Sequence, residues 1–115
     1  MEYPVAGRPP GVGIELEGLV AKAMYENTRY LDPIQMANKY AEHLKYEEKC
    51  DYIICLSHLG FDYRSNKVSD ISLARQSRNI DLIIGGHTHT FLKAAEMELN
   101  LDGSPVLINQ VGCTL

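Results

Sequence analysis

The apolar residues of this chain fall into two patterns, short continuous runs and a longer stretch with helical spacing. The continuous runs, Tyr52 to Leu56 and Ile80 to Ile84, are rich in apolar and β-branched residues and have the length of strands buried on both faces. Residues 12–20 alternate small or apolar with polar residues and predict an extended segment. Residues 96–101 and 105–110 flank Asp102-Gly103, a dipeptide typical of tight turns, and predict a β-hairpin.

Two amphipathic helices are predicted beside these strands. The first begins at Pro33, after the N-cap candidate Asp32, and its apolar positions recur at helical spacing until it ends within residues 46–49. The second begins at Ser69 or Asp70 as the cap and ends at Arg78. The order strand, loop, helix, strand over residues 52–84 predicts a βαβ unit with parallel strands and a right-handed crossover. The chain is therefore predicted to be of the α/β class.

Three histidines follow the two predicted parallel strands. His58 comes after the first strand, and His87 and His89 follow the second in the segment Gly85-Gly86-His87-Thr88-His89. Parallel strands present their carboxyl ends at one edge of a sheet, so we expect the three imidazoles to emerge at that edge, the histidine edge. Neutral imidazole is a common ligand of zinc and other d-block cations. His58, His87 and His89 are the predicted metal ligands, and incidental solvated histidines are the alternative.

Other chemistry is less well supported by the residues around these histidines. Asp62, Asp70 and Asp81 are the candidate carboxylate ligands, but Asp81 lies within a predicted strand and Asp70 is expected to cap a helix. Ser57 and His58 are adjacent and leave a strand on opposite faces, so they do not form a nucleophile and its base. The sequence contains no G-x-S-x-G, G-x-G-x-x-G or P-loop motif.

Composition excludes several classes of partner. The formal net charge of -4 argues against a general nucleic-acid or anionic-membrane surface. No apolar run approaches the roughly 20 residues of a bilayer span, and the start of the chain has no signal-peptide pattern.

Cys50, Cys55 and Cys113 lack C-x-x-C spacing, so neither a disulfide framework nor a zinc knuckle is predicted. Cys55, inside a predicted strand, is expected to be a small buried apolar residue.

The basic residues near the crossover are expected to form a solvated surface. They are Arg64, Lys67, Arg75 and Arg78. If Arg64 or Lys67 folds over the histidine edge, its side chain could instead contact a phosphate group. His43, in the middle of the first predicted helix, is expected to lie on the surface.

Several of these motifs, taken in order, resemble the second half of the calcineurin-like metallophosphoesterase domain in its 5′-nucleotidase branch. They are Leu56-Ser57-His58-Leu59-Gly60, Ser69-Asp70, Ile80-Asp81-Leu82-Ile83-Ile84 and Gly85-Gly86-His87-Thr88-His89. The stretches 13–19 and 30–34 are also similar, so the resemblance runs from about Gly11 to Gly112. It implies a four-layer α/β/β/α sandwich with a two-metal centre at the carboxyl edges of its strands.

The resemblance also implies a role for each histidine. His58 and His87 match ligands of the second metal in that family, and His89 matches a ligand of the first. Two divalent ions, zinc, manganese or similar, would activate a hydroxide that attacks a phosphate ester in line. The parent protein would then be a phosphomonoesterase, a 5′-nucleotidase by this resemblance, with a nucleotide or another phosphomonoester as its substrate.

The sequence also departs from the family pattern. The family's Asp-x-His, its Gly-Asp that bridges the metals and its Asn-His pair are absent from these 115 residues. We therefore expect the chain to be the carboxyl-terminal half of one metallophosphoesterase domain, inactive or nearly so when isolated from the amino-terminal half. The alternative is a non-catalytic α/β half-domain that forms a homodimer through its exposed sheet face, or pairs with a complementary segment, and binds at most one metal ion.

Overall fold

A five-stranded sheet forms the centre of the computed structural model, which describes residues 11–15, 21–26 and 29–112. The predicted irregular lead-in and residues 16–20 of the predicted extended segment lie outside the described residues. The strands are β1 (Gly11–Gly13), β2 (Ile54–His58), β3 (Leu82–Ile84), β4 (Glu96–Leu99) and β5 (Pro105–Asn109). The helical elements are α1 (Lys22–Tyr25), α2 (Pro33–Glu42), a π-helical turn π1 (His43–Glu47) and α3 (Asp70–Arg75).

The sheet has the strand order β1-β2-β3-β5-β4, in which only β4 runs antiparallel to its neighbour. The predicted βαβ unit is confirmed as β2, α3 and β3, and the predicted hairpin as β4 and β5. Leu56 pairs with Ile84, and Ile84 pairs with Asn109. The carboxyl ends of β2, β3 and β5 therefore meet at one edge of the sheet, as expected for parallel strands.

Strand β2 ends two residues later than its apolar run predicted. The run stops at Leu56, but β1 pairs with β2 in parallel and places Gly13 opposite His58. This long-range pairing keeps Ser57 and His58 in the strand, whereas local composition indicates only its apolar residues. The extended segment predicted from residue 12 is a strand only over Gly11–Gly13 among the described residues.

Helix α2 begins as its sequence predicts and ends in a wider turn. The side chain of Asp32 accepts hydrogen bonds from the backbone N–H of Ile34 at 2.9 Å and of Gln35 at 3.0 Å, and Pro33 is the first helical residue. After Glu42 the helix continues as π1, whose end is marked by a left-handed Lys49 at φ 58°.

Helix α3 is shorter than predicted, and its cap is Ser69. The Ser69 side chain accepts from the Ser72 N–H, and the Ser72 hydroxyl accepts in return from the Ser69 N–H at 2.8 Å. Asp70, expected as a possible cap, is the first helical residue instead. The helix ends at Arg75 because Asn38 of α2 accepts from the Arg78 N–H at 2.9 Å and donates to the carbonyl of residue 76 at 3.0 Å. A left-handed residue at position 79 (φ 66°) then starts the turn into β3.

The two faces of the sheet differ in how they are covered. Helices α2 and α3 pack on one face and enclose the core, which includes Ala37, Ala41, Leu44, Cys55, Leu73, Ala74, Ile83, Val106 and Ile108. On the other face Leu56, Ile84, Met97 and Leu107 are exposed, although they occupy neighbouring positions in paired strands. Sheets with parallel strands are normally covered on both faces. No helix in the described ranges is long and apolar enough to span a membrane.

Candidate functional site

Two of the three predicted histidines are in contact at the carboxyl edge of the sheet. His58 ends β2, His87 lies in the loop after β3, and their ring centroids are 5.2 Å apart with an interplanar angle of 65°. Gly86 makes this approach possible, because a β-carbon there would lie only 3.3 Å from Nδ1 of His58. The edge predicted from strand order therefore brings the imidazoles of the two separate motifs together.

The third histidine, His89, occupies the same loop but not the same cluster. Its side chain is exposed and makes no ring contact with His58 or His87 in the described part of the chain. Both loop histidines have left-handed backbones, with φ 77° for His87 and φ 54° for His89. Such values are uncommon outside glycine and indicate that surrounding contacts hold this loop.

The candidate carboxylates make contacts elsewhere. Asp81 accepts from the Ile53 N–H at 2.8 Å, and Asp62 accepts from the N–H of the next residue at 2.9 Å. Asp70 accepts from the hydroxyl of Ser57. Within residues 11–15, 21–26 and 29–112, no group of three or more His, Cys, Asp or Glu side chains is placed to hold a metal ion. The two contacting imidazoles thus fit part of a metal centre. None of the candidate carboxylates Asp62, Asp70 and Asp81 completes it in the described part of the chain.

A carboxylate that the sequence did not single out lies near this edge. Glu15, two residues after β1, forms an ion pair with Lys67 at 3.1 Å and lies close enough to His87 to interact with it electrostatically. Its own backbone N–H and the Lys67 ammonium lower the pKa of Glu15 below its ordinary value. Lys67, a candidate phosphate contact, also lies 5.0 Å from the ring centroid of Tyr63. The signal for Glu15 was the short glycine-flanked strand β1, which ends at the histidine edge.

Asp70 is a buried acid behind the histidine edge. Its side chain is fully buried, and within the described part of the chain only Oδ1 of its two oxygens has a hydrogen-bond partner, the hydroxyl of Ser57. Burial raises the pKa of Asp70 to about 6, and the Ser57 hydrogen bond opposes part of that rise. The Ser57 hydroxyl also accepts from the Leu59 N–H at 3.2 Å, so Asp70 helps to fix the backbone on both sides of His58.

The structure agrees with the argument against Ser57 as a nucleophile, and it also makes Cys55 unsuited to that role. Ser57 is buried and faces Asp70 under the sheet, whereas His58 is exposed on the opposite face. Cys55 is fully buried, as predicted, and burial together with the charge of Asp70 raises the pKa of its thiol to about 12. A thiol with that pKa carries almost no thiolate at neutral pH.

Comparison with known proteins places the chain in a family. The sequence model of the calcineurin-like phosphoesterases matches residues 3–91. An apyrase from Tabanus yao is 41% identical over 87 residues, which are 71% of this chain and 15% of that protein. The structure of a 5′-nucleotidase precursor from Thermus thermophilus superposes with a TM-score of 0.61 at 29% identity, covering 70% of this chain and 17% of that one.

A second solved structure, the NAD nucleotidase of Haemophilus influenzae, shares the fold with a TM-score of 0.64 at 23% identity, over 74% of this chain and 18% of that one. The chain thus spans less than a fifth of each of these three proteins. The match to the family covers most of the 115 residues and includes both histidine motifs that meet at the sheet edge. The chain belongs to the calcineurin-like phosphoesterase family.

Proposed function

We propose that this chain supplies part of the metal centre of a phosphomonoesterase that acts on nucleotides. The observation that carries the proposal is the contact between His58 and His87 at the carboxyl edge of the sheet, 5.2 Å between ring centroids. Phosphoesterases of this family depend on divalent metals, and the similar proteins are named as an apyrase and a 5′-nucleotidase. These names support a nucleotide as the substrate.

In this proposal His58 and His87 hold one divalent ion as neutral nitrogen ligands, and His89 contributes to a second. Zinc or manganese suits such ligands, and a pair of these ions supplies a nucleophilic hydroxide and neutralises charge on the phosphate. Neutral imidazoles alone leave the charge of two dications uncompensated. We therefore infer that the bridging and remaining carboxylates come from another segment, so that residues 1–115 form the carboxyl-terminal half of the domain.

The exposed sheet face is the surface on which that other half would pack. Met97 and Leu107 pair across β4 and β5, and Leu56 and Ile84 pair across β2 and β3, which makes one apolar surface over four strands. Where the other half of the domain is absent, a second copy of the chain would cover this apolar surface. That pairing gives the alternative, a non-catalytic dimer of half-domains.

The double substitution Leu56→Lys and Leu107→Lys is expected to abolish self-association of the isolated 115-residue chain. The wild-type chain should sediment as a dimer or larger species, because its apolar face is otherwise in water. Met24→Lys is the control, since Met24 is 79% exposed on α1 and its replacement should leave association unchanged. A wild-type chain that is monomeric at every concentration would show that this face needs no partner.

The function itself is tested by metal-dependent phosphate release. We expect the protein that carries this chain to hydrolyse a nucleoside 5′-monophosphate, to lose that activity in a chelator and to regain it with zinc or manganese. The isolated 115 residues should be slower by at least about 100-fold, since a paired metal centre contributes several kcal/mol of transition-state stabilisation. Hydrolysis that persists after complete metal removal would overturn the proposed function, and full activity of the isolated chain would overturn the inference of a half-site.

A further inference from the structure

Gln110 is a buried amide that directly follows β5 at the histidine edge. It is 1% exposed, and the sequence pattern assigned it no role beyond the end of a strand. A buried glutamine needs partners for both a carbonyl oxygen and an NH₂ group. Both sets of partners of Gln110 lie in the loop that carries His87 and His89.

The carboxamide of Gln110 contacts every second residue of that loop. Its Nε2 donates to the Gly86 carbonyl at 3.2 Å, and its Oε1 accepts from the Thr90 N–H at 2.6 Å. The Thr88 hydroxyl lies 3.4 Å from the same Oε1. His87 and His89 are the residues between these three contacts. One side chain therefore spans the loop from the residue before the first histidine to the residue after the second.

The same loop is connected to the segment that follows His58. The Thr88 hydroxyl accepts from the Phe61 N–H at 3.0 Å and lies 2.8 Å from the Thr90 hydroxyl. Gln110 also fixes the chain beyond the loop, because its backbone carbonyl accepts from the Leu92 N–H at 2.9 Å. The contacts thus join the end of β5 to both histidine-bearing segments.

The loop needs such support because of its backbone. His87 and His89 are both left-handed, a conformation that is unfavourable for residues with a β-carbon. Residues 85–90 contain no helical or strand segment that would supply regular hydrogen bonds. The bonds to Gln110 fix the peptide groups on either side of the two strained residues and so restrict where their imidazoles point.

We propose that Gln110 is a positioning residue for the His87-Thr88-His89 loop, and that its carboxamide sets the arrangement in which these histidines bind metal. This inference rests on the proposed function, since it concerns the same ligands. Gln110 itself does not contact the metal or the substrate in this proposal. A single neutral amide suits the position because the loop offers one carbonyl and one N–H, which no carboxylate or ammonium can match together.

The test compares the wild type with Gln110→Met, which keeps the length of the side chain and removes all three carboxamide hydrogen bonds. Amide hydrogen exchange is measured on the 115-residue chain in the absence of metal. Titration with Co²⁺, followed by its visible absorption, is made on the protein that carries this chain, in which the inferred carboxylates complete the site. In Gln110→Met we expect the Thr90 amide to exchange at least about tenfold faster. Cobalt should bind about 10 to 100-fold more weakly, the range seen when outer-shell residues that orient metal ligands are lost.

Gln35→Met is the matched control, because Gln35 is exposed on α2 and the same chemical change there should move neither measurement. Far-UV circular dichroism shows whether the Gln110 variant is folded. If the Gln110 variant is unfolded, the wild-type chain still tests the proposal. A Thr90 amide that exchanges as fast as the exposed loop amides in the wild-type chain would overturn it.

Unchanged Thr90 exchange and unchanged cobalt affinity in folded Gln110→Met variants would also overturn it. Failure of the wild-type protein that carries this chain to bind cobalt would count against the proposed metal site. It would not count against the fixing of the loop, because Thr90 exchange is measured without metal. The two proposals can therefore fail separately.

Discussion

In the proposed phosphomonoesterase, replacing His58 by alanine is expected to lower kcat for phosphate release by about 100 to 1,000-fold, since the proposed metal centre would contribute several kcal/mol of transition-state stabilisation. His58 is exposed at the end of β2, so the substitution removes an imidazole without opening a cavity in the core. His87→Asn should have a similar effect. Asparagine is chosen there because it tolerates the left-handed backbone of His87 better than alanine does.

The measurement combines kcat with metal content after gel filtration. Both variants should lose bound metal together with activity, while the temperature of unfolding in the metal-free state stays close to that of the wild type. His43→Gln is the control, because His43 belongs to π1 and its ring pairs with Glu47 at 2.8 Å, not with the histidine edge. Normal turnover and normal metal content in His58→Ala and His87→Asn would remove both residues from the site.

The elements with strong local signals were predicted well. Asp32 with Pro33 set the start of α2, and Asp102-Gly103 lies in the turn between β4 and β5. In both cases the decisive physics is local, since a cap or a turn involves residues a few positions apart. The ends of β2 and α3 were predicted less well. They depend on pairing with β1 and on the side chain of Asn38, which are distant in the sequence.

The same distinction separates the predicted from the unpredicted parts of the site. His58 and His87 could be named because each follows an apolar run, and the βαβ pattern places such ends at one edge. Glu15 and Gln110 could not be predicted as part of the candidate site. The ion-pair partner of Glu15 lies 52 residues away in the sequence, and the hydrogen-bond partners of Gln110 lie 20 to 24 residues away. A polar residue at the end of a strand has no local pattern that distinguishes a solvated side chain from a buried one.

Asp70 shows how a local signal can hide a tertiary role. In the sequence it belongs to a helix start, and the structure does place it in the first turn of α3. Its buried carboxylate nevertheless contacts Ser57 of β2 and faces Gly85 after β3. The residue therefore connects the two strand ends that carry the histidines, a relation that only the packing of α3 under the sheet creates.

Gly85→Ala is expected to destabilise the fold by roughly 3 kcal/mol, the upper part of the range for overpacking a close-packed site. A β-carbon at Gly85 would overlap Oδ2 of Asp70 and would lie 3.3 Å from Nε2 of Gln110. Neither neighbour can move into solvent, because both side chains are almost completely buried. The backbone cannot retreat either, since the Gly85 N–H donates to the Asn109 carbonyl at 2.8 Å.

Urea unfolding of four variants separates this overlap from a general effect of alanine. Gly13→Ala should be close to neutral, because a β-carbon at this position in β1 meets no atom of the described residues within 4 Å. Asp70→Ala removes the obstructing carboxylate, so the double variant Gly85→Ala with Asp70→Ala should be more stable than the sum of the two single losses predicts. If the losses in free energy of unfolding are additive in this cycle, Asp70 does not limit the space at Gly85. The close approach of α3 to the histidine loop would then not be the reason for a glycine at that position.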